Sequence, residues 1–360
     1  MTSLTTIHRL PRRGRRSATV LAALALTGAA LPPLLRAQGG GSSTPSPVVA
    51  SLGTCTLASG ATIRDCRIAY RTFGRLNPAR DNAILIPTFF AGRSEDHLFM
   101  LGDYVDTTQY HVIIADALSD GHSSSPSNVG AESRSAFRDL TIGDMVDAHH
   151  RLVTEQLGLT RLQAVVGISM GGFQAFEWAV RYPTFANAYV PVVGSPRVTD
   201  SDRLVYRALI SGADNGARGG VPPDSAWEQL SRIETLFMRT PEGLRSLGIA
   251  KVDAEVTSMA NGYRRAWALD DYAAQMRAIE RYDISSRFGG DLSRAAKAVR
   301  GRMLIVYTPD DRMVSSLTSA EFARLTSAES LVVPSECGHS VFWCEAKVIG
   351  ARVRHFIARR

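Results

Sequence analysis

The sequence predicts an α/β fold: a mostly parallel central sheet flanked by helices, with a helical cap inserted late in the chain. Two patterns carry the prediction. Short, continuous, β-rich apolar runs followed by turn residues recur along the chain, as expected of strands buried on both faces. Helical segments alternate with them, and such alternation feeds a parallel sheet through crossovers. A third observation places the cap: residues 198–292 keep helical patterns but hold no convincing strand.

The start of the chain stands apart from this pattern. Residues 8–16 read HRLPRRGRR and residues 18–31 read ATVLAALALTGAAL. A cationic segment, an apolar run short for a bilayer span, and small residues ending at Leu35-Arg36-Ala37 predict a signal peptide over 1–37, cleaved before Gln38. Pro32-Pro33 interrupts the apolar run, which argues against a stable membrane anchor after cleavage. The expectation is an exported protein, periplasmic or secreted. The formal net charge of +7 falls to about +1 once Arg9, Arg12, Arg13, Arg15, Arg16 and Arg36 leave with this segment. The folded part therefore has no charge excess that would recruit nucleic acid. Residues 38–49, QGGGSSTPSPVV, read as a flexible tether. The main domain is expected over 50–360.

Within that domain, strands are predicted at 66–70, 82–87, 111–116, 164–167, 188–193, 303–307 and 331–333. Helices are predicted from 142, over 172–181 directly after the 164–167 strand, and over 346–357. Thr141-Ile142-Gly143-Asp144 resembles a capping box with Asp in place of Glu. Ile142, Met145, Val146, His149 and Val153 then fall on one helical face. Inside the cap, Gly212, Gly216, Gly219 and Gly220 with Pro222-Pro223 predict a loop.

The segment Gly167-Ile168-Ser169-Met170-Gly171 matches G-x-S-x-G. A buried strand precedes it and a helix follows, the context a nucleophile elbow needs. The flanking glycines let neighbouring backbone approach without a Cβ clash. The turn lifts the serine hydroxyl to a helix N-terminus, where amide N–H groups stabilise negative charge. This points to the α/β-hydrolase fold.

A serine hydroxyl needs a base to take its proton. His8 lies in the leader, His149 and His150 sit mid-helix, His355 lies in the last helix, and His97, His111 and His122 precede the serine. Only His339 lies late, on a loop after a strand, in the Ser–acid–His order of this fold. The acid belongs after the 303–307 strand, where Asp310 and Asp311 compete. Asp311 is preferred because the apolar-containing turn Arg312-Met313-Val314 follows it, and Asp310 is expected to be solvated or to cap a turn. The expected oxyanion donors are the amides of Met170 and Phe90. Phe89 and Phe90 also suit a pocket lining.

Four cysteines stand at 55, 66, 337 and 344. An even count in an exported chain favours disulfides. Residues 57–62 suit a turn joining Cys55 to Cys66, and Cys337 and Cys344 bracket His339. Buried free thiols are the alternative reading. Neither pair has the close spacing of a zinc site, so zinc is not expected there, and chemistry by the three residues above needs no metal or organic cofactor.

The elbow extended through Phe173-Gln174-Ala175-Phe176-Glu177-Trp178-Ala179 resembles the homoserine O-acetyltransferase family. So do Leu57-Ala58-Ser59-Gly60 through Ile68-Ala69-Tyr70 to Asp81-Asn82-Ala83, Leu140 to Val146, and Met276-Arg277-Ala278-Ile279. The resemblance runs from about Cys55 to the C-terminus and is weakest in the cap. It implies a double displacement in which the serine takes an acetyl group from acetyl-CoA and hands it to a hydroxyl. It also implies Ser169, Asp311 and His339 as the triad and Met170 and Phe90 as oxyanion donors. Relatives in the family are often dimers, so a homodimer is the assembly it implies.

Three departures shift the expected acceptor. The family commonly carries an Asp directly after the catalytic His to bind the substrate ammonium, and this chain has Ser340. The cap Arg and Tyr that hold the amino acid fall on Ser231 and Met238, with Arg232 one position off. Acetyl-CoA is a cytoplasmic metabolite, and this chain is expected to be exported. The expectation is therefore an exported esterase acting on small acyl esters, with acetyl-CoA a co-substrate only in the acyltransferase alternative. A non-catalytic exported scaffold is the third reading, set against the presence of all three triad residues.

Overall fold

The computed structural model describes residues 46–359. The expected leader and residues 38–45 of the expected tether lie outside the described residues. Eight strands form one sheet: β1 (Val48–Thr56), β2 (Thr62–Phe73), β3 (Ala83–Pro87), β4 (His111–Ala115), β5 (Leu162–Ile168), β6 (Ala186–Val192), β7 (Arg302–Tyr307) and β8 (Glu329–Val332). Their spatial order is β1-β2-β4-β3-β5-β6-β7-β8. β2 runs antiparallel to both its neighbours, and β4 through β8 pair in parallel.

Each expected strand is present, and one more precedes them. Val48 and Val49 belong to β1, so the tether ends two residues earlier than its composition suggests. β1 is an edge strand paired only to β2, and most of its residues are exposed. It therefore lacks the continuous apolar run that marks the inner strands.

The inner strands bury both faces. On β4, Ile113 packs on one side with Met145, Phe173 and Phe176, while Val112 and Ile114 face the other with Ile349, Val353 and Phe356. Period-two alternation thus serves two cores, and both need apolar residues. Helix α1 (Ile142–Arg151) and helix α2 (Met170–Arg181) cover the first side. The expected capping box closes α1: Asp144 N–H donates to Thr141 Oγ1 at 3.1 Å and Thr141 N–H returns to Asp144 Oδ2 at 2.9 Å. Asp144 Oδ1 also accepts from the Ala58 amide at 2.7 Å, which ties the β1–β2 hairpin to the helix. Glu177, part of the extended elbow signature, is buried and accepts from Arg181 at 3.1 Å, while Arg181 also pairs with Asp147 of α1.

Between β6 and β7 the chain forms α3 (Asp200–Ala217), α4 (Pro223–Met238), α5 (Pro241–Leu247), α6 (Ile249–Ala266) and α7 (Leu269–Glu280), followed by α8 (Leu292–Ala298). The glycine-rich loop expected here is shorter than its composition predicts. Gly212 and Gly216 lie inside α3, where a Cβ on Gly216 would meet Ala226 Cβ at 2.6 Å and one on Gly212 would meet Leu230 at 3.2 Å. These glycines set a close helix crossing, which local propensity does not reveal. Pro222-Pro223 start α4, where proline is tolerated. After β7 come α9 (Leu317–Thr326), β8 and α10 (Ala346–Ala358), whose Ile349, Val353 and Phe356 pack on the second face. Among the described residues, no helix is long and apolar enough to cross a membrane.

Candidate active site

β5 ends at Ile168 and α2 begins at Met170, so Ser169 alone makes the turn. Its φ of 53° and ψ of −120° are strained for a residue with a side chain. The surrounding glycines explain how the turn is accommodated. A Cβ on Gly167 would sit 1.9 Å from Gly171 O, and one on Gly171 would sit 2.4 Å from Pro87 O. Both contacts are with backbone, which cannot swing away. Gly194, after β6, packs equally closely on Gly172.

The loops after β7 and β8 deliver the other two groups. His339 Nε2 lies 2.9 Å from Ser169 Oγ, and His339 Nδ1 lies 2.7 Å from Asp311 Oδ2. The side chains of His339 and Asp311 are each 2 % exposed, and Ser169 is half-buried. Asp311 Oδ1 accepts from the amides of Met313 at 3.0 Å and Val314 at 2.8 Å. These bonds fix the carboxylate in the turn. Its second oxygen is then left for the imidazole. Asp310 is neither merely solvated nor a simple turn cap. Its Oδ2 accepts from the Ser335 amide at 3.0 Å and so links the acid loop to the loop that carries His339.

The loop after β3 stands beside the elbow. Thr88 O accepts from Gln174 Nε2 at 3.1 Å, one turn into α2. The Thr88 amide donates to Ala115 O at 3.1 Å, Phe89 to His97 Nε2 at 3.0 Å, Ala91 to Gln275 Oε1 at 3.2 Å, and Gly92 to Phe89 O at 3.1 Å. The Phe90 amide makes no hydrogen bond among the described residues. The Met170 amide opens α2, where the first N–H groups have no acceptor within the helix. Both amides expected as oxyanion donors are therefore without an acceptor among the described residues, as are the next amides of the first turn of α2. The Phe90 ring packs edge-on against Tyr272 at 4.7 Å, so Phe90 also contributes to the apolar surroundings.

Several supports were not legible in the sequence. Tyr206 of α3 donates to Met313 O at 2.7 Å, and Asp202 accepts from the Ser315 amide at 3.1 Å, so the inserted segment braces the acid turn. Met238 and Arg239 at the end of α4 press on Gly338, where a Cβ would meet Met238 O at 3.1 Å. The two disulfides expected from the sequence are present: Cys337 pairs with Cys344 across the His339 turn, and Cys55 with Cys66 across the β1–β2 hairpin. Ser340 is half-buried and Ser231 fully buried. Arg232 is more than half exposed and pairs with Glu228 at 2.6 Å.

Comparison with known proteins adds independent findings. Residues 84–346 match a family model described as alpha/beta hydrolase fold. The chain is 29% identical over 304 residues to an ethyl acetate hydrolase of Pseudomonas veronii, covering 78% of this chain and 87% of that protein. It is 28% identical over 359 residues to a homoserine O-acetyltransferase of Leifsonia xyli, covering 86% and 89%. Its structure is similar to an acetylester hydrolase from Corynebacterium glutamicum with a TM-score of 0.79 and 26% identity, covering 87% and 96%.

Proposed function

The chain belongs to the alpha/beta hydrolase fold family, and on that premise we propose that it is a serine esterase of small acyl esters. The observation that carries the proposal is the continuous relay from Asp311 through His339 to Ser169, at 2.7 and 2.9 Å. In this reading Ser169 Oγ attacks the ester carbonyl while His339 Nε2 takes its proton. Asp311 holds the imidazole in the tautomer that can accept, and it stabilises the imidazolium that forms. The amides of Met170 and Phe90 receive the negative charge that develops on the carbonyl oxygen. The intermediate collapses, His339 protonates the departing alcohol, and an acyl-serine remains. Water, deprotonated by His339, then releases the acid. The chemistry uses side chains, amides and water alone. In this reading the helical segment of about residues 198–292 is the cap that shapes the acyl and alcohol pockets.

Acyl transfer to a hydroxyl acceptor is the second reading, favoured by the likeness to homoserine O-acetyltransferase. The two reactions share the acyl-enzyme and differ in what attacks it. Hydrolysis is preferred because Ser340 supplies no carboxylate for an ammonium group, and the guanidinium of Arg232 is engaged at the surface. The two relatives named as hydrolases, one by sequence and one by structure, support the same choice. We further propose that residues 1–37 direct export. The two disulfides support this, because such bonds persist in oxidising compartments.

The test uses protein recovered from the periplasm or medium of a host expressing the whole chain. Its N-terminus, read by mass spectrometry, is expected at Gln38. Turnover of p-nitrophenyl acetate is followed with and without L-homoserine. Free acetate at a rate indifferent to homoserine is expected, and Ser169→Ala should lower kcat by at least about 10³-fold while the protein stays folded. O-acetylhomoserine as the main product would replace the esterase reading with the acyltransferase one. A fully active Ser169→Ala variant would remove both.

A further inference from the structure

The Phe90 amide is free because its neighbours in the loop are held by two side chains from elsewhere. The Phe89 amide donates to His97 Nε2 at 3.0 Å, and the Ala91 amide donates to Gln275 Oε1 at 3.2 Å. Both side chains are wholly buried. Each is also tied at its far end: His97 Nδ1–H donates to Arg93 O at 2.9 Å, and Gln275 Nε2–H donates to Leu118 O at 3.2 Å. Neither acceptor can rotate without losing a second bond. Between the two clamps the backbone is constrained, with Ala91 at φ 53°, a left-handed conformation an alanine rarely adopts unaided. The rings add to the grip. Phe89 packs against His97 in a tilted arrangement at 4.1 Å, and Phe90 meets Tyr272, one turn before Gln275, edge-on at 4.7 Å.

We propose that His97 and Gln275 are positioning residues that aim the Phe90 amide at the carbonyl oxygen of a substrate attacked by Ser169. The proposal rests on the esterase reading of Ser169 given above. It gives the inserted helical segment a part in the chemistry, since Gln275 lies on α7. The tautomer is consistent with the role. His97 accepts at Nε2 and donates at Nδ1, so the ring is neutral, and burial pushes its pKa down to about 4 despite the carbonyl of Arg93 and the charge of Glu95. An oxyanion donor stabilises charge only where that charge develops, so its displacement lowers kcat and leaves substrate binding nearly intact.

The test compares His97→Leu, His97→Gln and Gln275→Met in the mature protein with p-nitrophenyl acetate. His97→Leu and Gln275→Met are expected to lower kcat about ten- to a hundredfold with KM within about threefold. They should weaken binding of a trifluoromethyl ketone, which mimics the tetrahedral adduct, by a similar factor. Glutamine at 97 reaches the place of Nε2 with its own acceptor and should restore most of the rate. An unchanged kcat in a folded Gln275→Met variant overturns the proposal, even if His97→Leu fails to fold. A rise in KM at constant kcat also overturns it, because the two side chains would then only shape the pocket. If Ser169→Ala retains turnover in the same assay, the underlying esterase reading fails instead.

Discussion

Asp310 and Asp311 are adjacent carboxylates with separate tasks. Asp311 spends one oxygen on two turn amides and the other on His339. Asp310 ties the acid loop to Ser335. Asp311→Asn leaves the shape intact but offers the imidazole a group of the wrong hydrogen-bonding character, and kcat should fall by about 10³–10⁴-fold. Asp310→Ala should cost less than about tenfold in kcat, together with a lower unfolding midpoint, because it loosens a loop without touching the imidazole. Equal losses in the two variants, measured by steady-state kinetics, would mean that the site uses the acids interchangeably. At this scale much was legible. Ser169 and His339 stand out because an elbow and a late loop histidine are local features. The preference for Asp311 rested on the apolar turn after it, and that turn supplies the two amides. Chain order sets His97 aside as a base, and its bond to the Phe89 amide depends on a burial that no local pattern announces.

At the scale of elements, glycines of identical composition carry opposite weight. Gly167, the next-to-last residue of β5, has backbone 1.9 Å from where a Cβ would stand, whereas a Cβ on Gly262 in α6 would meet nothing within 4 Å. Gly167→Ala is expected to cost about 3 kcal/mol or more, or to abolish soluble expression, because the strand and helix must separate. Gly262→Ala should be neutral or stabilising by about 0.5–1 kcal/mol, since it removes backbone freedom from the unfolded chain. Urea unfolding of both variants checks the contrast, and a tolerant Gly167 would show that the elbow relaxes. The inner strands were readable because burial on both faces leaves an unbroken apolar run. β1 was not, since an edge strand needs apolar residues only where it meets its neighbour.

Across the whole molecule, stability should respond to pH through buried groups of opposite sign. Glu234 on α4 accepts from Tyr263 OH at 2.7 Å and Tyr272 OH at 2.5 Å, yet burial pushes its pKa up from 4.5 to about 7. Between these values the folded chain holds a proton that the unfolded chain releases, so this contribution falls as pH rises through the window. Buried His97 and His149, each held down to about 4, act in reverse and favour folding as pH rises from about 4 to 6.5. The wild-type profile therefore mixes both signs. The difference between Glu234→Gln and wild type isolates the carboxyl, because the histidines are common to both. That difference should shift in favour of the variant from pH 5 to pH 7 by roughly 2–3 kcal/mol and then level off. A difference independent of pH, by thermal or urea unfolding, would show that Glu234 titrates normally.

The sequence by itself determined the fold class, the order of strands and helices, the strand–Ser169–helix turn and a helical stretch between two strands. Those features rest on local periodicity, turn chemistry and chain order, which a linear reading contains. Only the tertiary structure decided what surrounds the elbow. Gln275 reaches Ala91 across 184 positions, Tyr206 reaches Met313 across 107, and Gly216 yields its side chain to a helix crossing. Such contacts pair residues that share no local pattern. They arise when a hydrophobic core brings distant segments together and each buried donor or acceptor must then find a partner.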